Sequence, residues 1–206
     1  MKVVLLTEKA SPILFPAADC VVVRTPHELA SFRDADLYVD LDFKPEEARI
    51  SALSRMLPSP VMVNSVTKTI AEIGQPFIRI NGWPGMLERA VHELVVPDAG
   101  VAAHVTRLYE KTGRSFRQAP DIPGMITARV LAALINEAWY TWQDEVSTKE
   151  EIDTAMRLGT NYPLGPFEWA AQIGLERVVE LLEVMSRSDP RYRPAERLKE
   201  AGNIKI

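Results

Sequence analysis

No glycine occurs among the first 73 residues; the first is Gly74. That absence excludes a glycine-rich turn after the first apolar run, where backbone would otherwise approach a phosphate closely. Cysteine is nearly absent too. Cys20 is the single one, so no disulfide forms within the chain, and its place in Cys20-Val21-Val22-Val23 reads as a small buried hydrophobe. With three histidines and one cysteine scattered along 206 residues, no metal-ligand spacing exists. No apolar run approaches the ~18 residues of a membrane span. The opening Met1 to Thr7 is broken at once by Glu8 and Lys9, so it is no secretory signal, and a cytoplasmic protein is expected. Positive charge is not in excess: 24 Lys and Arg against 28 Asp and Glu leave a net −4, which gives no electrostatic reason to expect nucleic acid or an anionic membrane as partner.

What is present divides into two grammars. Over the first ~120 residues, short apolar runs at Val3 to Leu6, Cys20 to Val23, Leu37 to Leu41, Val61 to Val63 and Phe77 to Ile80 read as strands. Helices are expected over Pro45 to Leu57 and, for about two turns, Thr67 to Ile73. Alternation of this kind favours a parallel sheet. From Asp98 the chain reads as helices. One is capped by Asp98 and ended by Gly113, and a long apolar one runs from Met125 to about Asp144. Another is opened by a capping box in Ser147 to Glu151, in either of two registers (Ser147 with Glu150 or Thr148 with Glu151), and ended by Gly159. A short one runs from Pro166 to Gly174, and a last one starts at Pro194. Asp189 to Pro194 reads as a surface turn. Among the histidines, His27 reads as the first turn of a helix capped by Thr25, and His104 falls on the helix after Asp98.

Several blocks of the second half resemble the C-terminal domain of the 3-hydroxyacyl-CoA dehydrogenase family. They are Pro123-Gly124-Met125-Ile126 through Asn136-Glu137-Ala138, then Glu151-Ile152-Asp153-Thr154-Ala155-Met156, Pro163-Leu164-Gly165-Pro166-Phe167-Glu168 and Ile173-Gly174-Leu175. Upstream, Asn64-Ser65-Val66-Thr67 resembles the family's Asn-Thr-Ser loop, and Asn81 resembles the Asn of its His-Phe-Phe-Asn-Pro strand. The resemblance implies α/β plus all-α. A shortened, degenerate Rossmann-like parallel sheet over residues 1–120 would precede an all-helical domain over 121–206, which dimerises and contributes to the substrate site. It also implies an acyl-CoA ligand, a homodimer, and NAD as the family's cofactor in fatty-acid metabolism.

Against that resemblance, the site positions depart. The segment after the first strand, Thr7-Glu8-Lys9-Ala10-Ser11-Pro12, has no glycine and puts acid where phosphate would lie, so no cofactor is predicted. Pro12 and Pro16 disfavour a full first helix. The second strand ends at Arg24, read as a solvated strand end, where the family has an acidic residue. The family's general-base His falls on Ile78, its loop serine on Val66 and the Asn of its long helix on Ala128. Its orienting Glu falls on Ala90 without a gap, or on Glu93 with three residues inserted. No catalytic residue is therefore assigned. The pocket candidates are Asn64, Ser65, Thr67, Asn81 and His92, with His92 and Glu93 read as a half-exposed pair. The expectation is a pseudoenzyme that binds an acyl-CoA-type ligand or a partner subunit. The alternative is a working NAD-dependent 3-hydroxyacyl-CoA dehydrogenase with divergent site residues.

Overall fold

A computed structural model describes residues 1–8 and 14–203. The segment Lys9 to Ile13, including the Pro12 argument against a first helix, and the tail from Ile204 lie outside the described residues. The chain divides into two compact units, Met1–Met125 and Ile126–Ile206.

The first unit is built on a seven-stranded sheet. Its strands are β1 (Lys2–Leu6), β2 (Asp19–Val23), β3 (Leu37–Asp40), β4 (Val61–Asn64), β5 (Ile78–Ile80), β6 (Val91–Val95) and β7 (Ser115–Gln118). They lie in the order β2-β1-β3-β4-β5-β6-β7. All neighbours pair parallel except β5 and β6, which are antiparallel, so the expected parallel sheet is corrected at that one pair. The helices are α1 (Glu47–Ser54), α2 (Ile70–Ile73) and α3 (Ala99–Glu110), with a 3-10 turn at Pro26–Ser31. Alternate side chains serve opposite faces. Val3, Leu5, Val39, Met62, Ile78, Ile80 and Leu94 pack with Val105, Leu108 and Tyr109 of α3. Val4, Leu6, Tyr38, Val61 and Val63 pack on the other side with Leu29, Leu53 and Ile73.

Local chemistry sets most boundaries. Asp98 caps α3 by accepting from the Val101 amide at 2.9 Å, and the helix closes at Lys111, before Gly113. α2 is shorter than expected because Thr69, not Thr67, is its cap; Thr69 and Glu72 form the capping box and Gly74 ends the turn at φ 72°. Cys20 overturns its expected burial. β2 pairs only with β1 and forms the sheet edge, which leaves the thiol exposed.

The second unit holds α4 (Thr127–Gln143), α5 (Lys149–Thr160), α6 (Pro166–Ile173), α7 (Leu175–Ser186) and α8 (Glu196–Asn203). α7 was not expected; it buries Val178, Val179, Leu181, Leu182 and Met185. Of the two registers open for the α5 cap, Thr148 with Glu151 is the one formed. α5 runs past Gly159 and ends at Asn161, φ 56°. The presumed surface turn is a 3-10 turn, Pro190–Tyr192, that buries Tyr192.

The Pro-x-Gly-Pro-Phe-Glu block has a physical explanation in this unit. The buried Asp153 carboxylate accepts from the amides of Phe167 (2.8 Å) and Glu168 (3.2 Å) at the start of α6. Glu168 accepts from the Gly165 amide at 2.8 Å and pairs with Arg157 at 2.6 Å. Pro166 needs no donor at the first helical position. A Cβ at residue 165 would fall inside the Asp153 carboxylate, so only glycine fits. Asn136, also buried, accepts from the Ala195 amide (2.8 Å) and donates to the Arg193 carbonyl (2.9 Å), fastening α4 to the start of α8.

Candidate functional site

At the carboxyl ends of β4 and β5, four of the five pocket candidates come close along the chain, and they divide by role. Asn64 is used by the backbone: Nδ2 donates to the Leu41 carbonyl at 3.0 Å and Oδ1 accepts from the Gly82 amide at 3.0 Å. A Cβ at Gly82 would stand 2.5 Å from Asn64 Cγ, so this lock requires glycine. The Ser65 hydroxyl donates to the Lys68 carbonyl at 2.9 Å, holding the turn before α2. Thr67 is half-buried in the same turn. Asn81 differs from these. It is 3% exposed, its Oδ1 accepts from the Trp83 amide at 3.2 Å, and its Nδ2 meets no acceptor. Burying an unpartnered amide donor costs about 1–3 kcal/mol, which a ligand oxygen would recover.

The residues that the resemblance sets at the family's catalytic positions are hydrocarbon and buried. Val66 is 7% exposed, and Ile78 and Ala128 are 0% exposed. Glu93 does not face Ile78. Register pairs Arg79 with Val95 and Ile80 with Leu94, and the Asn81 amide continues the ladder to the Glu93 carbonyl at 3.4 Å. Cross-strand partners share a face, so Glu93 lies on the side of Arg79 and Asn81, whereas Ile78 points into the opposite core layer.

His92 corrects its expected half-exposure. It is 2% exposed, with Nδ1 at 3.0 Å from the Tyr109 hydroxyl and Nε2 at 2.9 Å from the Leu87 carbonyl. Nε2 must donate to the carbonyl, and in the neutral ring Nδ1 accepts from the tyrosine. Both nitrogens are occupied, and the ring stands edge-on to Phe15 and Tyr109 on the face away from Asn81. Burial pushes its pKa below the ordinary 6.5. A depressed histidine gives stability that is full above pH 6.5 and is lost as pH falls through the folded-state value. The urea midpoint of the first unit is therefore expected to drop below pH 6.5. In His92→Gln that part of the slope disappears; an unchanged slope would show that the ring is charged in the folded state.

Arg79 is the residue that the sequence did not single out. Its side chain is fully enclosed: Nε donates to the Ser65 carbonyl (3.0 Å), and one terminal nitrogen to the carbonyls of Val66 (3.1 Å) and Ile122 (3.3 Å). The other terminal nitrogen pairs with Asp121 at 2.6 Å. Burial works against its charge, and Asp121 offsets that penalty. One guanidinium thus fixes the loop after β4 to the segment leaving the first unit.

At the other end of the sheet, the strand order turns between β2-β1 and β3, which places a crevice outside the carboxyl ends of β1 and β3. There the Asp42 carboxylate accepts from the Glu8 amide and the Thr7 hydroxyl, each at 2.8 Å. Arg24 is exposed, as expected, but its guanidinium is anchored to the Thr7 carbonyl at 2.8 Å. Asp40, fully buried, is held by Arg49 through two bonds of 2.6 and 2.7 Å. Past β1, the Thr7 amide is therefore bonded to the Val23 carbonyl (3.1 Å) and the Glu8 amide to an internal carboxylate. Among the described residues, no group of three or more His, Cys, Asp or Glu is placed to hold a metal, and no helix is long and apolar enough to cross a membrane.

Residues 124–205 match the family described as 3-hydroxyacyl-CoA dehydrogenase, C-terminal domain. This chain belongs to the 3-hydroxyacyl-CoA dehydrogenase family. A 3-hydroxyadipyl-CoA dehydrogenase of Escherichia coli K12 is 36% identical over 130 residues, covering 62% of this chain and 27% of the relative. A probable 3-hydroxybutyryl-CoA dehydrogenase of Bacillus subtilis is 30% identical over 185 residues, covering 88% of this chain and 63% of the relative. The chain thus spans less than two thirds of the length of these curated relatives. In fold, it is similar to the crystal structure of a (S)-3-hydroxybutyryl-CoA dehydrogenase from Ralstonia eutropha. The TM-score is 0.73 at 24% identity, over 88% of this chain and 69% of that one. The Asp153–Gly165–Glu168 corner lies within the matched residues.

Proposed function

We propose that this protein is a member of the 3-hydroxyacyl-CoA dehydrogenase family that transfers no hydride and acts by binding an acyl-CoA-type ligand in its first unit. The unpartnered Nδ2 of buried Asn81 carries the binding half of this reading, because it offers a donor to a ligand carbonyl at the carboxyl end of β5. The crevice at β1 and β3 supports the silent half. A dinucleotide needs amides pointing at its phosphates, and here the Glu8 amide is bonded to the Asp42 carboxylate, whose negative charge repels a phosphate. The described residues at this crevice do not fit NAD. The relatives' names favour an active dehydrogenase instead, and a ligand titration separates the two.

Trp83 is buried two residues from Asn81 and is the single tryptophan of the first unit, so the part of the fluorescence response that disappears in Trp83→Phe reports this site. Acetoacetyl-CoA is expected to change that signal saturably, with Asn81→Ala weakening binding about 5- to 10-fold, the worth of one hydrogen bond. NADH is expected to give no saturation below about 1 mM. Saturable NADH binding would favour the working dehydrogenase, and a flat acetoacetyl-CoA titration would remove the acyl-CoA reading.

The second unit is proposed to pair two copies. Ile126, at the N-cap of α4, and Val130, one turn on, are 50% and 54% exposed, more apolar side chain than a solvated helix face ordinarily carries. Sedimentation at micromolar concentration is expected to give a dimer; a clean monomer would remove this part.

A further inference from the structure

On the outer side of the first unit, the 3-10 turn Pro26–Ser31 and helix α1 enclose a groove of about 270 Å³. His27, Arg33 and Arg55 line it together with Ser51, and no carboxylate does. Its floor is small and apolar, formed by Ala30, Ala48 and Ala52. In a chain of net charge −4, such a grouping runs against the overall composition. Two carboxylates on the turn side are committed elsewhere. Glu28 closes the Thr25 capping box at 2.9 and 2.7 Å, and Asp34 holds the Lys2 ammonium at 2.8 Å. Arg33 is positioned by the fold, since one terminal nitrogen donates to the Arg55 carbonyl at the C-terminal end of α1 (2.8 Å). That bond satisfies a helix-end carbonyl and holds the guanidinium plane beside the groove.

We propose that this groove binds a phosphate monoester carried on a compact organic group. Two guanidiniums supply charge-assisted donors that suit a phosphoryl dianion, and Ser51 adds a hydroxyl. The alanine floor admits a flat or small ring where larger side chains would fill the space. The volume is below the ~300–1,000 Å³ of ordinary cofactor sites, which favours a small phosphomonoester over a whole dinucleotide. Nothing in this proposal depends on Asn81 or on acyl-CoA binding.

The test is titration of the full chain with AMP and with inorganic phosphate, followed by NMR of the arginine Nε–Hε signals. AMP is expected to saturate below about 1 mM and inorganic phosphate to bind at least 10-fold more weakly, since it lacks the ring. Arg55→Gln, which leaves the Arg33-to-backbone bond in place, is expected to weaken AMP at least about 10-fold, and Arg33→Gln with Arg55→Gln to abolish saturation. Asn81→Ala is expected to leave AMP binding unchanged, so failure here is distinguishable from failure of the acyl-CoA reading. Competition by coenzyme A would identify the phosphorylated end of a larger molecule as the source; its absence would identify a free phosphomonoester. No saturation by AMP up to about 10 mM, or saturation unchanged in the folded double variant, would overturn the proposal.

Discussion

Arg79→Met is expected to destabilise the first unit by about 3–5 kcal/mol, the cost of removing one partner from a buried ion pair and leaving the other groups unmet. Four bonds vanish together. The Ser65 carbonyl loses its donor, those of Val66 and Ile122 keep the amides of Gly124 (2.8 Å) and Met125 (3.2 Å) but lose the guanidinium, and Asp121 keeps the Ile70 amide at 3.0 Å. Methionine fills much of the space, so the loss reads the polar clamp more than a cavity. Arg79→Lys is expected to recover only part of it, because an ammonium cannot reach four acceptors in one plane. Urea unfolding followed at Trp83 measures both, with a lower midpoint and an unchanged slope. A loss under about 1 kcal/mol would mean that solvent or neighbouring amides satisfy these carbonyls without the guanidinium.

The second large effect concerns turnover. With acetoacetyl-CoA and excess NADH, the wild-type chain is expected to oxidise NADH at or below about 10⁻³ per second, against a typical enzyme rate of about 10 per second. Loss of a general base costs about 10²- to 10⁴-fold, and each missing donor to the developing oxyanion another ~10²- to 10³-fold. These factors do not multiply fully for groups that act as a unit. Ile78→His is expected to restore nothing. The new imidazole would enter the core layer of Met62, Ile80 and Leu94, with Glu93 on the other face of the sheet. Turnover near about 1 per second in the wild type would sink the silent reading and require another residue as the base.

How far the fold was legible follows from which signals are local. Caps are local, so Asp98, a capping box within Ser147 to Glu151 (though not its register), and the Pro166-to-Gly174 helix could be read directly. β6 and β7 could not. Val91-His92-Glu93-Leu94-Val95 alternates imperfectly, because His92 points inward and is satisfied by Tyr109, which is 17 positions away. Ser115-Phe116-Arg117-Gln118 is a sheet edge with one apolar side chain, so it carries almost no pattern. α7 is apolar enough, yet it follows directly on Gly174, which reads as an end, and that glycine serves as a hinge between two helices.

The candidate site divided in the same way. Asn81 and the hydrocarbon at Val66, Ile78 and Ala128 came from linear resemblance, whereas Arg79 and Asp42 did not. An arginine between two isoleucines in a strand reads as the solvent side of an alternating pattern. Only the return of Asp121, 42 positions later, makes that side an interior. Asp42 likewise acquires meaning when β3 is set beside β1 and its carboxylate reaches the Glu8 amide.

One corner of the second unit also has a spectroscopic signature. The Lys149 ammonium lies 4.0 Å from the ring centre of Trp142, 4.5 Å from that of Trp139 and 5.4 Å from that of Phe167. Cations over aromatic faces are held by the ring quadrupole, and the same circulating electrons shield nearby protons. The ε-methylene protons of Lys149 should therefore resonate well upfield of those of the other lysines. Because the three rings come from α4 and α6 while the lysine opens α5, that isolated resonance would move to its ordinary position when this three-helix corner separates. It would do so even where circular dichroism still records intact helices.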